Sequence, residues 1–181
     1  MSRMNVPTLD AVPEGSRGVL DAIGKTLGAV PNLFRLIAIS PAALAGFAAL
    51  NGALGKTLDT KTRERIALAV AQVNGCDYCL SAHTYLGLNL AKLSAEEIEL
   101  ARKGASRDVK ADVAVRFAAR VARERGHVSD ADITAVRRAG FSEAHIVEIV
   151  ALVAENTFTN YLNEVARTEI DFPVVRAAEA A

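Results

Sequence analysis

Cys76-Asp77-Tyr78-Cys79 and His83 are the residues whose types and spacing best fit chemistry, and the chain has no other cysteine. Two thiols three residues apart fall within the roughly 4.4–6.8 Å Cα separation a disulfide accepts, so the pair can close and reopen without unfolding its surroundings. On a helix Cys76, Cys79 and His83 stand at i, i+3 and i+7, along one stripe. Gly75 marks the start of that helix, where free backbone N–H groups and the positive end of the dipole favour a thiolate, the reactive form of cysteine. By this argument alone Cys76, nearest the start, is the more acidic thiol. Helical side chains lean toward the N-terminus, which places the imidazole of His83 over Cys79 as a natural acid/base.

A fourth candidate, Glu64, lies eleven residues before Gly75, roughly 16 Å up the preceding helix, and His83 lies eight residues after it, about 12 Å down the next. If the two helices fold back at Asn74-Gly75, the two side chains differ in height by less than a turn. They lean away from each other across the hairpin, so contact needs a crossing angle or a bridging water. Other readings of these residues remain open from spacing alone. Zinc could take the CxxC with His83 as third ligand, but a fourth ligand is unaccounted for and no second CxxC exists. The thiols could be inert core residues, and Glu64 an exposed charge favourable to its helix dipole.

The elements that must position these residues are all helical. Sustained alternation of β-branched and polar residues is absent, and punctuation falls at helical intervals. After an N-terminal segment to about Ala29, Pro31 suits a helix start and Ser40-Pro41 the next boundary, opening a helix to about Lys56. Asp59 or Thr60 caps a helix so uniformly apolar through Ile66-Ala-Leu-Ala-Val-Ala that both its sides must be buried. Asn74-Gly75 ends it, and the helix carrying the thiols runs from near Cys76 to about Leu90. Ser94-Ala-Glu-Glu97 reads as a capping box for a short helix closed by Gly104. Further helices run from Asp108 to Arg125, from Ser129 to Gly140, and from Ser142 to about Arg167, before Asp171-Phe172-Pro173 breaks the pattern and leaves a loose tail over about 174–181. No linker or repeat divides the chain, so residues 1–181 read as one compact multi-helix domain with an antiparallel helix pair at the thiol site.

Composition narrows the function classes. The formal net charge is zero, so no global field draws nucleic acid or an anionic membrane. A signal-like N-terminus and a membrane-length apolar run are both absent, which implies a cytoplasmic protein. In a reducing compartment a lone CxxC reads as redox chemistry or metal binding. Half the residues are apolar and the mean hydropathy is +0.20, more apolar surface than a monomer easily hides, so self-association is expected. Asn156 and Asn160 share one face of the last helix and read as structural amides, while His127 and His145 read as solvent-facing.

Glu64, eleven residues, then Cys76-x-x-Cys79-x-x-x-His83 resembles the signature of the alkylhydroperoxidase D family within the carboxymuconolactone decarboxylase superfamily. Val30-Pro31-Asn32-Leu33-Phe34-Arg35 and the stretch from Asn156 through Tyr161 to Glu169-Ile-Asp171-Phe-Pro173 resemble its peroxidase-related members, so the likeness spans most of the chain. The resemblance implies an all-helical subunit in trimers or hexamers. It also implies a peroxidase that works on hydroperoxides without metal, haem or flavin. By the same likeness Cys79 attacks the peroxide, Cys76 resolves the sulfenic acid, His83 and Glu64 relay protons, and an external dithiol, such as a lipoyl group on a partner protein, reopens the disulfide. Tyr78 departs from the pattern, because characterised members can carry a histidine just before the second cysteine. A tyrosine there is a poor base near neutrality but can still pack at a subunit contact or hydrogen-bond through its hydroxyl. Two other functions compete: a thiol–disulfide adaptor without physiological peroxidase activity, and a carboxymuconolactone-type decarboxylase, which would not need a reversible disulfide.

Overall fold

In the computed structural model, which describes residues 2–177, the chain folds into nine α-helices and one 3-10 turn, with no strand among the described residues. Why helices form here follows from their caps. Asp59 opens α4 (Thr60–Val73) by accepting from the Thr62 N–H at 3.0 Å. Asp108 does the same for α7 (Val109–Arg123), and Ser129 and Ser142 open α8 (Asp130–Arg138) and α9 (Glu143–Ala166) with reciprocal capping boxes. The box of α9 is completed by His145, whose Nδ1 faces the Ser142 N–H at 3.1 Å; His145 is therefore a half-buried cap, while His127 is exposed.

α4 is the axis of the fold. Every residue from Ile66 to Ala71 is buried. Leu68 and Ala71 face one apolar cluster with Leu20, Leu33, Ile37, Leu44, Leu80 and Ile98. Ile66, Ala69 and Val70 face a second with Val115, Phe117, Val136, Ile149 and Leu152. A helix buried on both sides has no polar stripe to spare, which is why its sequence reads apolar all round. An ion pair does enter this interior: Arg65 meets Glu97 at 2.8 Å, and the same carboxylate accepts from Ser106 and from the Arg107 N–H. Ser94 still caps α6 (Ala95–Arg102), but Glu97 turns inward to Arg65 instead of returning a bond to Ser94, so only half of the expected capping box forms.

Residues 2–29 are more ordered than their sequence pattern indicates. They hold a 3-10 turn (Leu9–Ala11) and a full helix, α1 (Glu14–Leu27), closed by Gly28 at φ 79°. Its Ser16 hydroxyl donates to Ala38 O at 2.8 Å, docking α1 on the end of α2 (Asn32–Ile37). α3 (Pro41–Leu54) follows, capped by Ser40. The expected loose tail also needs correction over residues 174–177. Val175 N donates to Ser81 Oγ at 2.9 Å, Ala177 N to Asp77 Oδ1 at 2.7 Å, and Arg176 pairs with Asp77 at 2.7 Å. These bonds strap the segment across the first turn of α5 (Asp77–Asn89). Residues 178–181, the rest of that tail, lie outside the described residues.

Candidate active site

The joint between α4 and α5 is built by one backbone requirement. Gly75 adopts φ 68°, a left-handed conformation that costs an L-residue about 1–2 kcal/mol, and the chain reverses there so that α5 returns along α4. α5 begins at Asp77, not at Cys76. Cys76 is the N-cap, extended at φ −88° and ψ 100°, and its Sγ accepts from the Cys79 N–H at 3.4 Å. The two sulfurs thus meet over the first turn of α5, with both cysteines free and buried.

Across the hairpin, His83 Nδ1 lies 2.9 Å from Glu64 Oε2. The contact is direct, so the opposing lean of the two side chains is overcome without a bridging water. Both groups keep a path to solvent, at 22 % and 18 % side-chain exposure. A third wall comes from α9: Asn163 Nδ2 donates to Cys79 Sγ at 3.3 Å, and Asn160 Oδ1 accepts from Asn74 Nδ2 at 2.8 Å. Asn156 turns away and donates to Leu152 O within its own helix. Asn163 escaped the sequence reading, although it continues the stripe of Asn156 and Asn160 one turn further. Glu155 escaped it as well: buried on α9, it accepts from Asn51 Nδ2 of α3 at 2.6 Å.

The floor beneath the thiols is Tyr78. Its hydroxyl donates to Asp171 Oδ1 at 2.8 Å and accepts from the Leu33 N–H at 3.1 Å, while its ring stands edge-on to Phe172. Asp171 Oδ2 in turn accepts from the Asn32 N–H at 2.8 Å. The two outlying segments singled out in the sequence, 30–35 and 169–173, therefore meet at the residue between the cysteines. Tyr78 is thus a buried tie within the chain.

Residues 41–124 match the carboxymuconolactone decarboxylase family. Among solved structures, a peroxidase-related protein from Ralstonia eutropha JMP134, described as an alkylhydroperoxidase AhpD core, superposes with a TM-score of 0.82 at 27 % identity, covering 94 % of this chain and 92 % of that one. The fold is alkylhydroperoxidase D-like, and the segment that carries the thiols resembles the carboxymuconolactone decarboxylase family. A peroxidase-related protein from Silicibacter sp. TM1040 is similar at TM-score 0.80 and 25 % identity, over 93 % and 91 % of the two chains. The debrominase Bmp8, solved with 2,3,4-tribromopyrrole, shares the fold at TM-score 0.77 and 20 % identity, over 94 % of each chain. No curated protein sequence matches.

Within this alkylhydroperoxidase D-like fold the two thiols are electrostatically unequal, and in the opposite sense to the dipole argument. The Cys79 thiol is brought down to about 7, first by the hydrogen bond from Cys76, then by the charge of His83 and the amide of Asn163, against the opposing effect of burial. Cys76 moves up, because it supplies that hydrogen bond, is buried, and sits beside the Cys79 charge. Of the two thiols, Cys79 is therefore the one that its surroundings make readier to ionise. Burial disfavours the imidazolium of His83, but the Glu64 carboxylate, through its charge and its hydrogen bond, raises His83 above its ordinary range. Burial likewise raises Glu155, against the Asn51 hydrogen bond and the nearby charge of His83. Tyr78 is driven up by burial and by Asp171, and so stays a hydroxyl donor. Among the described residues no three His, Cys, Asp or Glu side chains cluster as a metal ion would require.

Proposed function

We propose that the chain is a thiol-dependent hydroperoxide reductase that uses Cys79 as the attacking thiolate and Cys76 as the resolving thiol. The observation that carries this reading is the seating of the charge: Cys79 Sγ receives the Asn163 amide at 3.3 Å and lies within the field of a His83 imidazole held by Glu64 at 2.9 Å. A nucleophile poised near neutrality beside a proton donor is what cleavage of an O–O bond needs.

In the first step Cys79 S⁻ attacks the terminal oxygen of R–O–O–H. The S–O bond forms, the O–O bond breaks, and R–O⁻ leaves with a proton from the His83 imidazolium, giving Cys79 sulfenic acid and R–OH. Cys76 then attacks the sulfenic sulfur and expels water, and the disulfide stores the two electrons' worth of oxidation. An external dithiol, such as a lipoyl group on a partner protein, reopens it by thiol–disulfide exchange. The cycle draws on no bound cofactor, and the reducing cytoplasm is the compartment it suits.

Burial of both sulfurs favours this reading over a thiol–disulfide adaptor. An adaptor must present a sulfur to the disulfide of another folded protein, and Cys76 and Cys79 are 0 % and 2 % exposed. A small hydroperoxide, or a lipoyl arm, needs only a narrow approach beside His83. The chain is further proposed to self-associate, as a trimer or hexamer, through apolar surface on α3 and α9.

The test is stopped-flow oxidation of the reduced protein by hydrogen peroxide and by an organic hydroperoxide, followed by mass spectrometry of Cys76 and Cys79. Rapid loss of both thiols with one intramolecular disulfide is the expected result. Inert thiols would remove the peroxidase reading, and release of bromide from 2,3,4-tribromopyrrole by the same reduced protein would move it toward the chemistry named for the related debrominase.

A further inference from the structure

The wall that α9 presents to Cys79 contains more hydrogen-bonding capacity than the resting thiolate uses. Asn163 spends its Nδ2 on Cys79 Sγ, but its Oδ1 is buried with no partner in the protein. Asn160 spends its Oδ1 on Asn74, which fixes the amide's orientation and leaves Asn160 Nδ2 buried and equally without a partner. Asn160 is not hydrogen-bonded to the sulfur, yet it lies near enough that its amide favours the charged thiol. Both residues are almost wholly enclosed, at 0 % and 2 % exposure. Buried amide groups normally find partners, so a free donor and a free acceptor on successive turns of α9 near a reactive sulfur mark a place suited to a group that both accepts and donates.

A hydroxyl is such a group, and the terminal –OH of a hydroperoxide is the one that must arrive beside Cys79. We propose that Asn160 and Asn163 form the hydroperoxide cradle of the site: Asn163 Nδ2 holds the Cys79 thiolate, while Asn160 Nδ2 donates to the terminal oxygen and Asn163 Oδ1 accepts its O–H. The inference rests on the peroxidase reading and assigns the substrate contacts within it. The same oxygen is the one transferred. Before attack it is bonded to R–O and to hydrogen; afterwards it is bonded to sulfur and to the same hydrogen, while R–O⁻ has taken its proton from His83. The O–H can keep its bond to Asn163 Oδ1 throughout, so the amides bind the reacting group without competing for the proton that His83 must deliver. This division puts proton transfer on α4 and α5 and oxygen binding on α9.

Two reactions of the reduced protein separate the roles. Alkylation of Cys79 by iodoacetamide, followed by mass spectrometry across pH, reads the thiolate alone; the rate of sulfenic acid formation from cumene hydroperoxide reads thiolate and cradle together. For Asn163→Leu the alkylation profile is expected to move to higher pH by about one unit, an approximately tenfold loss of thiolate at low pH, with peroxide reaction falling further. For Asn160→Leu, peroxide reaction is expected to fall at least about tenfold more than alkylation does, an effect a purely packing role would not produce. If Asn163→Leu leaves the alkylation profile in place, or if Asn160→Leu slows both reactions equally, the proposal is overturned. Should either variant fail to fold, the wild-type protein supplies the measurement. The ¹⁵N side-chain amide signal of Asn163 must titrate with the midpoint of Cys79 alkylation, and an amide that does not respond overturns the thiolate contact. A wild-type protein inert to every hydroperoxide would instead sink the peroxidase reading, while the Asn163 titration would still report on the sulfur.

Discussion

At the residue level the site divides its labour between a readily ionised thiol and a supply of protons. Cys79→Ser is expected to abolish peroxide consumption, whereas Cys76→Ser should leave a sulfenic acid on Cys79 that a dimedone-type probe traps; mass spectrometry distinguishes the two. His83→Ala should slow turnover by roughly 10²-fold if proton delivery limits the rate. The pH dependence has a sign on each side. Below about 7, Cys79 takes up its proton and the first step slows. On the alkaline side the rate falls as His83 loses its proton, and that limb is displaced upward because Glu64 raises His83. Glu64→Gln removes the raising charge, so the alkaline limb should move to lower pH, and because the His83 charge also holds Cys79 down, the acid limb should move up as that charge is lost; a pH–rate profile of single-turnover oxidation checks that the two limbs approach each other.

At the level of elements, two joints hold the site in register. Gly75 turns α4 into α5, and a Cβ there would meet nothing within 4 Å, so the cost of Gly75→Ala is one of backbone conformation. It should destabilise the fold by about 1–2 kcal/mol in urea unfolding, and any loosening of the turn should appear as altered Cys76 reactivity. The second joint is Tyr78, tied to Asp171 and to the Leu33 N–H. Tyr78→Phe leaves the buried Leu33 N–H without its acceptor, which should cost about 1–3 kcal/mol and raise the rate at which the reduced thiols are alkylated. Asp77 adds a third constraint at the surface by gathering Arg176 and the Ala177 N–H over the start of α5.

For the molecule as a whole, one face remains apolar in the isolated chain. Along α9, Val147, Val150, Phe158, Tyr161 and Val165 are exposed at helical spacing, and Phe158 packs against Phe47 of α3, whose outer face is largely Ala, Gly and Leu50. Such a face in contact with water is unfavourable, and a second copy of the chain is the proposed cover. Tyr161 and Val165 are 59 % and 60 % exposed, so Tyr161→Glu and Val165→Glu should leave the fold intact. Light scattering after size exclusion should find the wild type as an oligomer and the double variant as monomer; a monomeric wild type would remove the proposal.

The sequence by itself determined the helical class, the doubly buried α4, most of the caps and the placing of Cys79 and His83 one turn apart on α5, because these follow from periodicity and from bonds between residues a few positions apart; the expected helical column lost Cys76, which is the extended N-cap. It determined less well whatever depended on distant partners. Half of the Ser94–Glu97 box was lost because Arg65, 32 residues away, binds Glu97 more strongly than a neutral cap can. Residues 2–29 and the 174–177 strap are ordered by docking on α2 and α5, which no local pattern announces. Only the tertiary structure decided which thiol bears the charge. The dipole that favours Cys76 acts along one helix, whereas Asn163, 84 residues from Cys79, and the Glu64–His83 pair reach the sulfur across helix boundaries, where burial makes each charge and donor count for more than it would in water.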